Sequence, residues 1–268
     1  MDDDPLEDSP RSRDLIKSLE KGLAVMRAFS SHRGSMTMSA LAESVSLSRP
    51  AVRRILLTLE HLGYAHQRHG QWSLTPRILE IGAGYFSKNS LPEIAGPFLQ
   101  VLADRVQETC HVGVWDRLEV VHIARVEVPR VVPDSLYIGS RLPAHATSLG
   151  QVLLAALNDA ELDEYLRQVE RVPLTPFTVV TDDAIRARAA EVREQGFAVT
   201  IDELVAGTTA AAVPIHAMGR VVGALGVTSS PLRSTRESLT EEVVPILQAT
   251  ASDIASAYEL SNRRRISA

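Results

Sequence analysis

Hydrophobic positions recur at helical spacing in the first third of this chain and alternate more often later, and that change divides it. Residues 15–30 place Leu15, Leu19, Leu23, Met26 and Phe29 three or four apart, which predicts an amphipathic first helix. The stretch MSALAESVSLSRPAVRRILLTLEHL, from Met38 to Leu62, predicts two short helices joined by a turn at Ser46-Leu47. Ser39 is the expected N-cap of the first, with Glu43 near capping-box distance and Leu41 or Ala42, with Val45, buried. Ser48 caps the second, where Pro50 is tolerated because first-turn N–H groups lack helical partners. Val52, Ile55, Leu56 and Leu59 then form its core face. So short a turn fixes the second helix at an angle, the geometry of a helix-turn-helix that enters the DNA major groove.

On that second helix Arg54 falls nearly opposite the core face and Arg53 on its flank, with Arg49 at the N-terminal tip. Such arginines serve equally as a solvated surface; the helix-turn-helix context favours DNA contact, since Arg grips guanine or phosphate through paired hydrogen bonds. After Gly63, YAHQRHGQWSL predicts two short strands around His69-Gly70, a wing with Arg68 at its tip. His66 and His69 have no third metal ligand nearby and read as exposed hairpin residues; no metal is expected. Thr75-Pro76 opens a further helix to Ser87 with Ile78, Ile81, Gly82 and Tyr85 along one seam. That seam packs within its own subunit or serves dimerisation through Ile78, Ile81 and Tyr85.

From Ser90 the pattern changes. A helix over 91–107 leads to extended runs at Cys110–Trp115, Leu118–Val126 and Ser135–Ser140, then RLPAHATSLG and a helix through Leu157. Two helical segments bracket Val172–Thr181. Strands follow at Gly196–Ile201, Thr209–His216 and Val221–Thr228, with a turn at Met218-Gly219-Arg220, and a final helix over Ser238–Asn262. Hairpin-linked strands among helices argue for an α+β domain on a mostly antiparallel sheet.

Charge sharpens the division. Residues 14–89 carry ten Lys or Arg against five acids, residues 90–268 sixteen against twenty-three, and residues 1–13 two against five. Phosphate binding needs local positive charge, so the middle block is the one suited to double-stranded DNA. The acidic start lacks a signal peptide's basic end and apolar core, and no apolar run approaches the ~20 residues that span a bilayer, so a cytoplasmic protein is expected. Cys110 is the single cysteine, which excludes an intrachain disulfide. The expected organisation is an acidic disordered tail at 1–13, a winged helix-turn-helix at 14–74, a linker or dimerisation helix at 75–89, and a ligand-binding domain at 90–268.

Along nearly its whole length the chain resembles the isocitrate lyase regulator (IclR) family. The stretches that carry the resemblance are SLEKGLAVMRAFS, the helix-turn-helix, WSLTPRILEIG, LPAHATSLGQVLLAAL and AAAVPIHAMGRVVGALGV, in that order. GSRLPAHATSLGQVLLAAL is similar to the branch that regulates protocatechuate and 4-hydroxybenzoate catabolism. The resemblance implies an N-terminal winged helix-turn-helix, a linker helix and a GAF-like effector domain, assembled as dimers or dimers of dimers, with no cofactor. It places the effector pocket at Ser148, Leu149, Thr200, Ala210, Gly226 and Thr228, with Asp202 a further candidate beside Thr200. Where relatives carry an acidic pair this chain has Thr200-Ile201, followed by Asp202-Glu203; Ala210 and Gly226 replace polar residues. These departures imply a less polar, roomier pocket for a larger or more apolar effector such as an aromatic acid. An anionic effector needs donors: Arg125 and Arg141 are candidates for a bidentate contact and His145 for a hydrogen bond, surface ion pairing being the alternative for each arginine. The rival class is a hydrolase built on Ser148, His145 and Asp202, but no G-x-S-x-G elbow surrounds the serine.

Overall fold

The computed structural model describes residues 15–31, 34–86, 90–128 and 136–266. The acidic segment 1–13, expected to be disordered, lies outside the described residues. The chain forms two compact units, the first ending at Tyr85 and the second beginning at Phe86.

In the first unit, α1 (Lys17–Ala28), β1 (Ser35–Thr37), α2 (Met38–Ser44), α3 (Arg49–His61), β2 (Ala65–Arg68) and β3 (Gln71–Leu74) close around one core. Val25, Phe29, Met36, Leu41, Val52, Leu56, Leu59 and Trp72 fill it. The strand β1 was not legible in the sequence. It pairs with β3 to give a three-stranded sheet of order β1-β3-β2, and it runs straight into α2. For that reason Thr37, not Ser39, is the α2 N-cap: its Oγ1 accepts from the Ala40 N–H at 3.2 Å. Ser48 occupies the N-cap position of α3, but its side chain makes no capping bond.

The wing turns through His69 (φ 49°) and Gly70 (φ 77°), the paired positive φ values of a tight hairpin. The helix expected from Thr75 to Ser87 is broken instead. Thr75 caps a 3-10 turn at Pro76–Ile78, α4 spans only Leu79–Gly82, and turns continue to Phe86. Gly82 and Gly84, each about 1 kcal/mol worse than Ala in a helix, account for the early stop.

The second unit contains α5 (Leu91–Val106), β4 (Thr109–Asp116), β5 (Glu119–Val126), β6 (Arg141–Pro143), α6 (Ser148–Ala155), α7 (Asp159–Gln168) and α8 (Asp182–Gln195). It continues with β7 (Ala198–Ile201), β8 (Thr209–Ala217), β9 (Arg220–Ser229), a helical turn α9 (Arg236–Ser238), a π-helical stretch Leu239–Val243 and α10 (Val244–Ile266). The predicted extended run before β6 is a turn over 136–140, where Tyr137 and Ser140 hydrogen-bond each other and Gly139 takes φ 96°. Its first residue, Ser135, lies outside the described residues.

Six antiparallel strands run in the order β6-β5-β4-β9-β8-β7. Helices α5 and α10 cover one face through Cys110, Val112, Val213, Leu225 and Val227. Helices α6 and α8 pack on the other, where Leu149, Val152, Ala198, Ala212 and Ala224 form a second cluster. The architecture is the α+β arrangement expected from the sequence, a winged helix-turn-helix followed by a helix-flanked antiparallel sheet.

Candidate functional site

Two surfaces carry the chemistry, one in each unit. In the first, α3 buries Val52, Leu56 and Leu59 and half-buries Ile55, so that Ser48, Arg49, Arg53 and Arg54 stand exposed on the other side. Arg68 is exposed at the end of β2, immediately before the wing turn. The wing is tied to the end of α3: the Arg77 Nη1 donates to the Leu62 carbonyl (3.0 Å), Thr75 Oγ1 donates to the Gly63 carbonyl (2.6 Å), and the Arg77 guanidinium lies over the Tyr64 ring. These bonds fix where the wing sits relative to α3.

Apolar side chains are also exposed in this unit. Leu15, Leu19 and Leu23 do not enter the core; Val25 of α1 and Phe29, just past its end, are buried instead. Ile81 and Tyr85 are exposed as well, while Ile78 is half-buried.

In the second unit, strand register places several expected residues on the sheet face under α6. One row runs Arg125, His111, Gly226, Ala212, Ala198 across β5, β4, β9, β8 and β7. The next row, two residues along, runs Thr109, Thr228, Ala210, Thr200. Ser148, at the start of α6, is buried, and Thr147 caps the helix by accepting from the Gly150 N–H at 3.1 Å. Leu149 reaches down onto two glycines: a Cβ on Gly113 would lie 2.9 Å from one of its methyl carbons, and a Cβ on Gly226 would lie 3.1 Å from the other. The missing side chain at Gly226 therefore does not leave the extra room expected there, because Leu149 fills it.

Three expected members are not on this face. Arg141 sits at the sheet edge with its guanidinium bridging Glu119 (2.6 Å) and Asp116 (2.7 Å), the surface ion pair that was its alternative. Those carboxylates occupy the donors a ligand would use. His145 turns into the cleft between α6 and α8, beside Gln151, Leu154 and Arg188, around a cavity of about 10 Å³. That space admits no more than about one water. Burial holds its pKa below the usual histidine value. Asp202 adopts φ 57° in the β7–β8 turn and accepts from the Gly207 N–H at 2.6 Å, so its carboxylate serves its own loop.

The same cleft holds a buried polar knot. Glu203 accepts from Gln151 Nε2 (2.8 Å) and Arg188 Nη1 (3.1 Å), and Thr178 Oγ1 donates to its backbone carbonyl (2.6 Å). Burial raises the Glu203 pKa above the usual carboxylate value, against the lowering effect of Arg188 and Gln151. This knot ties α6 and α8 to the loop after β7.

Two histidines that the sequence reading passed over belong to the sheet face. His111 and His122 are 4% and 1% exposed, and their rings stack at 4.9 Å with 16° between planes. Burial, then the neighbouring His122 and Arg125, hold the His111 pKa well below the usual value. Alternation along β4 puts His111 and Gly113 on one side, but His122 and Arg125 are three apart and should face opposite ways. A register shift between Val112 and Gly113 lets both point under α6. Among the described residues, no three His, Cys, Asp or Glu side chains gather as a metal site, and no helix is long and apolar enough to cross a membrane.

Comparison with known proteins agrees with this layout. The IclR helix-turn-helix domain matches residues 18–69, and the C-terminal domain of the bacterial transcriptional regulator IclR matches residues 83–256. The chain is 36% identical over 249 residues to the Pca operon regulatory protein of Acinetobacter baylyi, covering 91% of this chain and 90% of that protein. It is 35% identical to the p-hydroxybenzoate hydroxylase transcriptional activator of the same organism, over 91% of this chain and 92% of the relative. The crystal structure of an IclR homologue from Microbacterium hydrocarbonoxydans complexed with 4-hydroxybenzoate superposes with a TM-score of 0.79 at 26% identity, covering 91% of this chain and all of that one. With an exposed arginine-bearing helix in one unit, a polar face beneath α6 in the other, and both family domains matched in order, the chain belongs to the IclR family of bacterial transcriptional regulators.

Proposed function

We propose that this protein is a cytoplasmic, DNA-binding transcriptional regulator, not an enzyme, whose hold on its operator is set by an aromatic carboxylic acid. The observation that carries the reading is the pairing of the exposed α3 arginines with a separate, partly buried polar face in the second unit. Helix α3 enters the major groove with Arg53 and Arg54, Ser48 and Arg49 approach from its N-terminal tip, and Arg68 of the wing takes phosphate or minor groove. The effector lies against Arg125, Ser148, Leu149, Thr200, Ala210, Gly226 and Thr228. An aromatic acid is favoured by relatives named for protocatechuate-operon (Pca) and p-hydroxybenzoate hydroxylase control, and by the homologue bound to 4-hydroxybenzoate.

Two copies act together. The apolar stripe of Leu15, just before α1, and of Leu19 and Leu23 on it joins Ile81, Tyr85 and the half-buried Ile78 as the dimer seam, and paired heads multiply affinity across two half-sites. The effector acts by binding one arrangement of the heads better than the other. Gel-shift on the DNA upstream of the chain's own operon tests the assignment. The double change Arg53→Ala and Arg54→Ala is expected to abolish the specific complex and flatten its salt dependence; unchanged binding would remove α3 as the reading helix. Thermal-shift measurements with protocatechuate and 4-hydroxybenzoate test the ligand class, a rise in melting temperature being expected.

A further inference from the structure

We propose that Arg77 is the positioning residue through which the effector's control enters the DNA-reading unit. It clasps the start of the linker to the end of α3 and to the foot of the wing, so that the three move as one piece, and it does not itself hold DNA. The proposal rests on the effector-controlled reading above, with α3 and the wing as the elements that meet DNA.

Helix α3 closes in a Schellman-type cap. The Tyr64 N–H donates to the Leu59 carbonyl (2.8 Å) and the Gly63 N–H to the Glu60 carbonyl (2.9 Å), with Gly63 at φ 82°. The next two carbonyls, those of Leu62 and Gly63, are taken by the residues that follow the wing: Arg77 Nη1 donates to the first and Thr75 Oγ1 to the second. Tyr64 and Thr75 are also the two feet of the wing, joined by the Thr75 N–H to the Tyr64 carbonyl at 2.9 Å. The Arg77 guanidinium turns a different part of itself to each neighbour. Nη1 holds the helix end, its face lies 5.4 Å from the centroid of the Tyr64 ring, and Nε meets Glu80 of α4 at 3.3 Å. Gly63 leaves space for that approach, since a Cβ there would stand 3.2 Å from Nη1.

These contacts set direction more than stability. The Arg77 and Glu80 side chains are 53% and 62% exposed, and exposed ion pairs and cation–π contacts add little to folding free energy. Arg77 is also outside the apolar core of its unit. A planar guanidinium that holds three groups at once does fix their mutual angles, which a flexible point charge does not.

Position in the chain gives the clasp its role. The chain leaves the first unit through residues 76–85, where regular structure is limited to the 3-10 turn at Pro76–Ile78 and the four residues of α4. So short a helical piece does not carry a displacement as a rod. A movement of the linker reaches α3 and the wing at its first turn, where Arg77 holds it to both. Without Arg77 the linker is joined to the wing by the chain and the Thr75 bond alone, and rotation after Thr75 absorbs the movement.

Fluorescence anisotropy of the full chain on labelled DNA from upstream of its own operon, with and without saturating 4-hydroxybenzoate or protocatechuate, compares wild type with Arg77→Gln and Arg77→Met. One of the acids is expected to change the wild-type Kd at least about fivefold, and the Kd of either variant less than about twofold. The melting temperature of each variant, and its rise with the acid, are expected to match the wild type, so that both sites are intact and only their connection is lost. A wild-type response kept in both variants overturns the proposal and leaves the effector-controlled reading in place. A slope of log Kd against log salt that is shallower by about one phosphate contact, with weaker binding whether or not the acid is present, makes Arg77 a DNA contact and also overturns it. A large fall in the melting temperature of both variants overturns it too, by making Arg77 a structural brace. A wild type that responds to neither acid overturns the effector-controlled reading and the proposal together.

Discussion

Replacing Gly150 with alanine drives a methyl group into the backbone of Ala144. The added Cβ would stand 2.1 Å from the Ala144 carbonyl oxygen, 2.3 Å from its Cα and 2.6 Å from its carbonyl carbon. All three are main-chain atoms, so no side-chain rotation relieves the clash. To bring the closest contact from 2.1 to 3.0 Å, α6 must retreat by roughly 0.9 Å. That movement pulls Leu149 off Gly113 and Gly226 and stretches the bond between Gln151 and Glu203. Overpacking against rigid backbone belongs at the upper end of its usual range, about 3 kcal/mol. For a unit of this size each kcal/mol moves the melting temperature by about 2–4 °C, so a fall of roughly 6–12 °C is expected. Differential scanning calorimetry of the full chain reads it, with Gly22→Ala in α1 as control. A Cβ there meets nothing within 4 Å, and the helix should gain about 0.5–1 kcal/mol. If Gly150→Ala melts with the wild type, or Gly22→Ala falls as far, the seating of α6 described above is wrong.

Other substitutions probe separate parts of the account. Leu149→Ala is expected to destabilise the second unit by about 2–5 kcal/mol and, by opening space over two glycines, to admit a bicyclic acid such as 2-naphthoate in calorimetry; destabilisation without new binding would show that Leu149 does not limit the site. Glu203→Leu removes the acceptor that Arg188 and Gln151 share, although Arg188 keeps Gln151 Oε1 and Glu191, and should destabilise by about 1–3 kcal/mol, whereas Glu203→Gln keeps an acceptor oxygen and should cost less. Because the Glu203 pKa is raised on folding, its favourable contribution is complete below the usual carboxylate value and is lost as pH rises through the raised one. Denaturant melts should accordingly show wild type losing ground to Glu203→Gln with rising pH, and the opposite slope would contradict the desolvated setting. The Cys110 thiol, pushed up to about 12 by burial and then by Glu108, should resist a disulfide reagent at pH 8 until the protein is unfolded. Leu19→Glu with Leu23→Glu should yield monomers in sedimentation if α1 lies in the dimer seam, and an unchanged assembly would move the seam elsewhere.

Much of the fold is written in side-chain spacing. The α3 core face, the wing turn at His69-Gly70 and the hairpin at Met218-Gly219 follow from local periodicity and from residues that tolerate positive φ. What was not legible depended on partners distant in sequence. Strand β1 exists because β3 has a free edge for it, and its presence moved the α2 cap to Thr37. The linker helix looked continuous because its apolar spacing is helical, but Gly82 and Gly84 remove the propensity to sustain it. At the candidate site, Ser148, Leu149, Thr200, Ala210, Gly226 and Thr228 came from the resemblance; strand register places the last four on adjacent rows of one sheet face, and Ser148 and Leu149 begin the helix that covers it. His122 was hidden because a register shift between β4 and β5 reversed the side it should face. Arg141 and His145 were attractive by residue type alone; carboxylates on neighbouring strands claimed one, and the α6–α8 cleft took the other.

The central claim is that a ligand in the second unit governs DNA binding by the first. Fluorescence anisotropy on labelled DNA from upstream of the chain's own operon, with and without saturating 4-hydroxybenzoate or protocatechuate, tests it directly. A change in Kd of at least about fivefold with one of these acids, in either direction, is predicted, since that is the lower end of typical coupling between sites. Specific binding with the same Kd in the presence and absence of both acids would contradict the account.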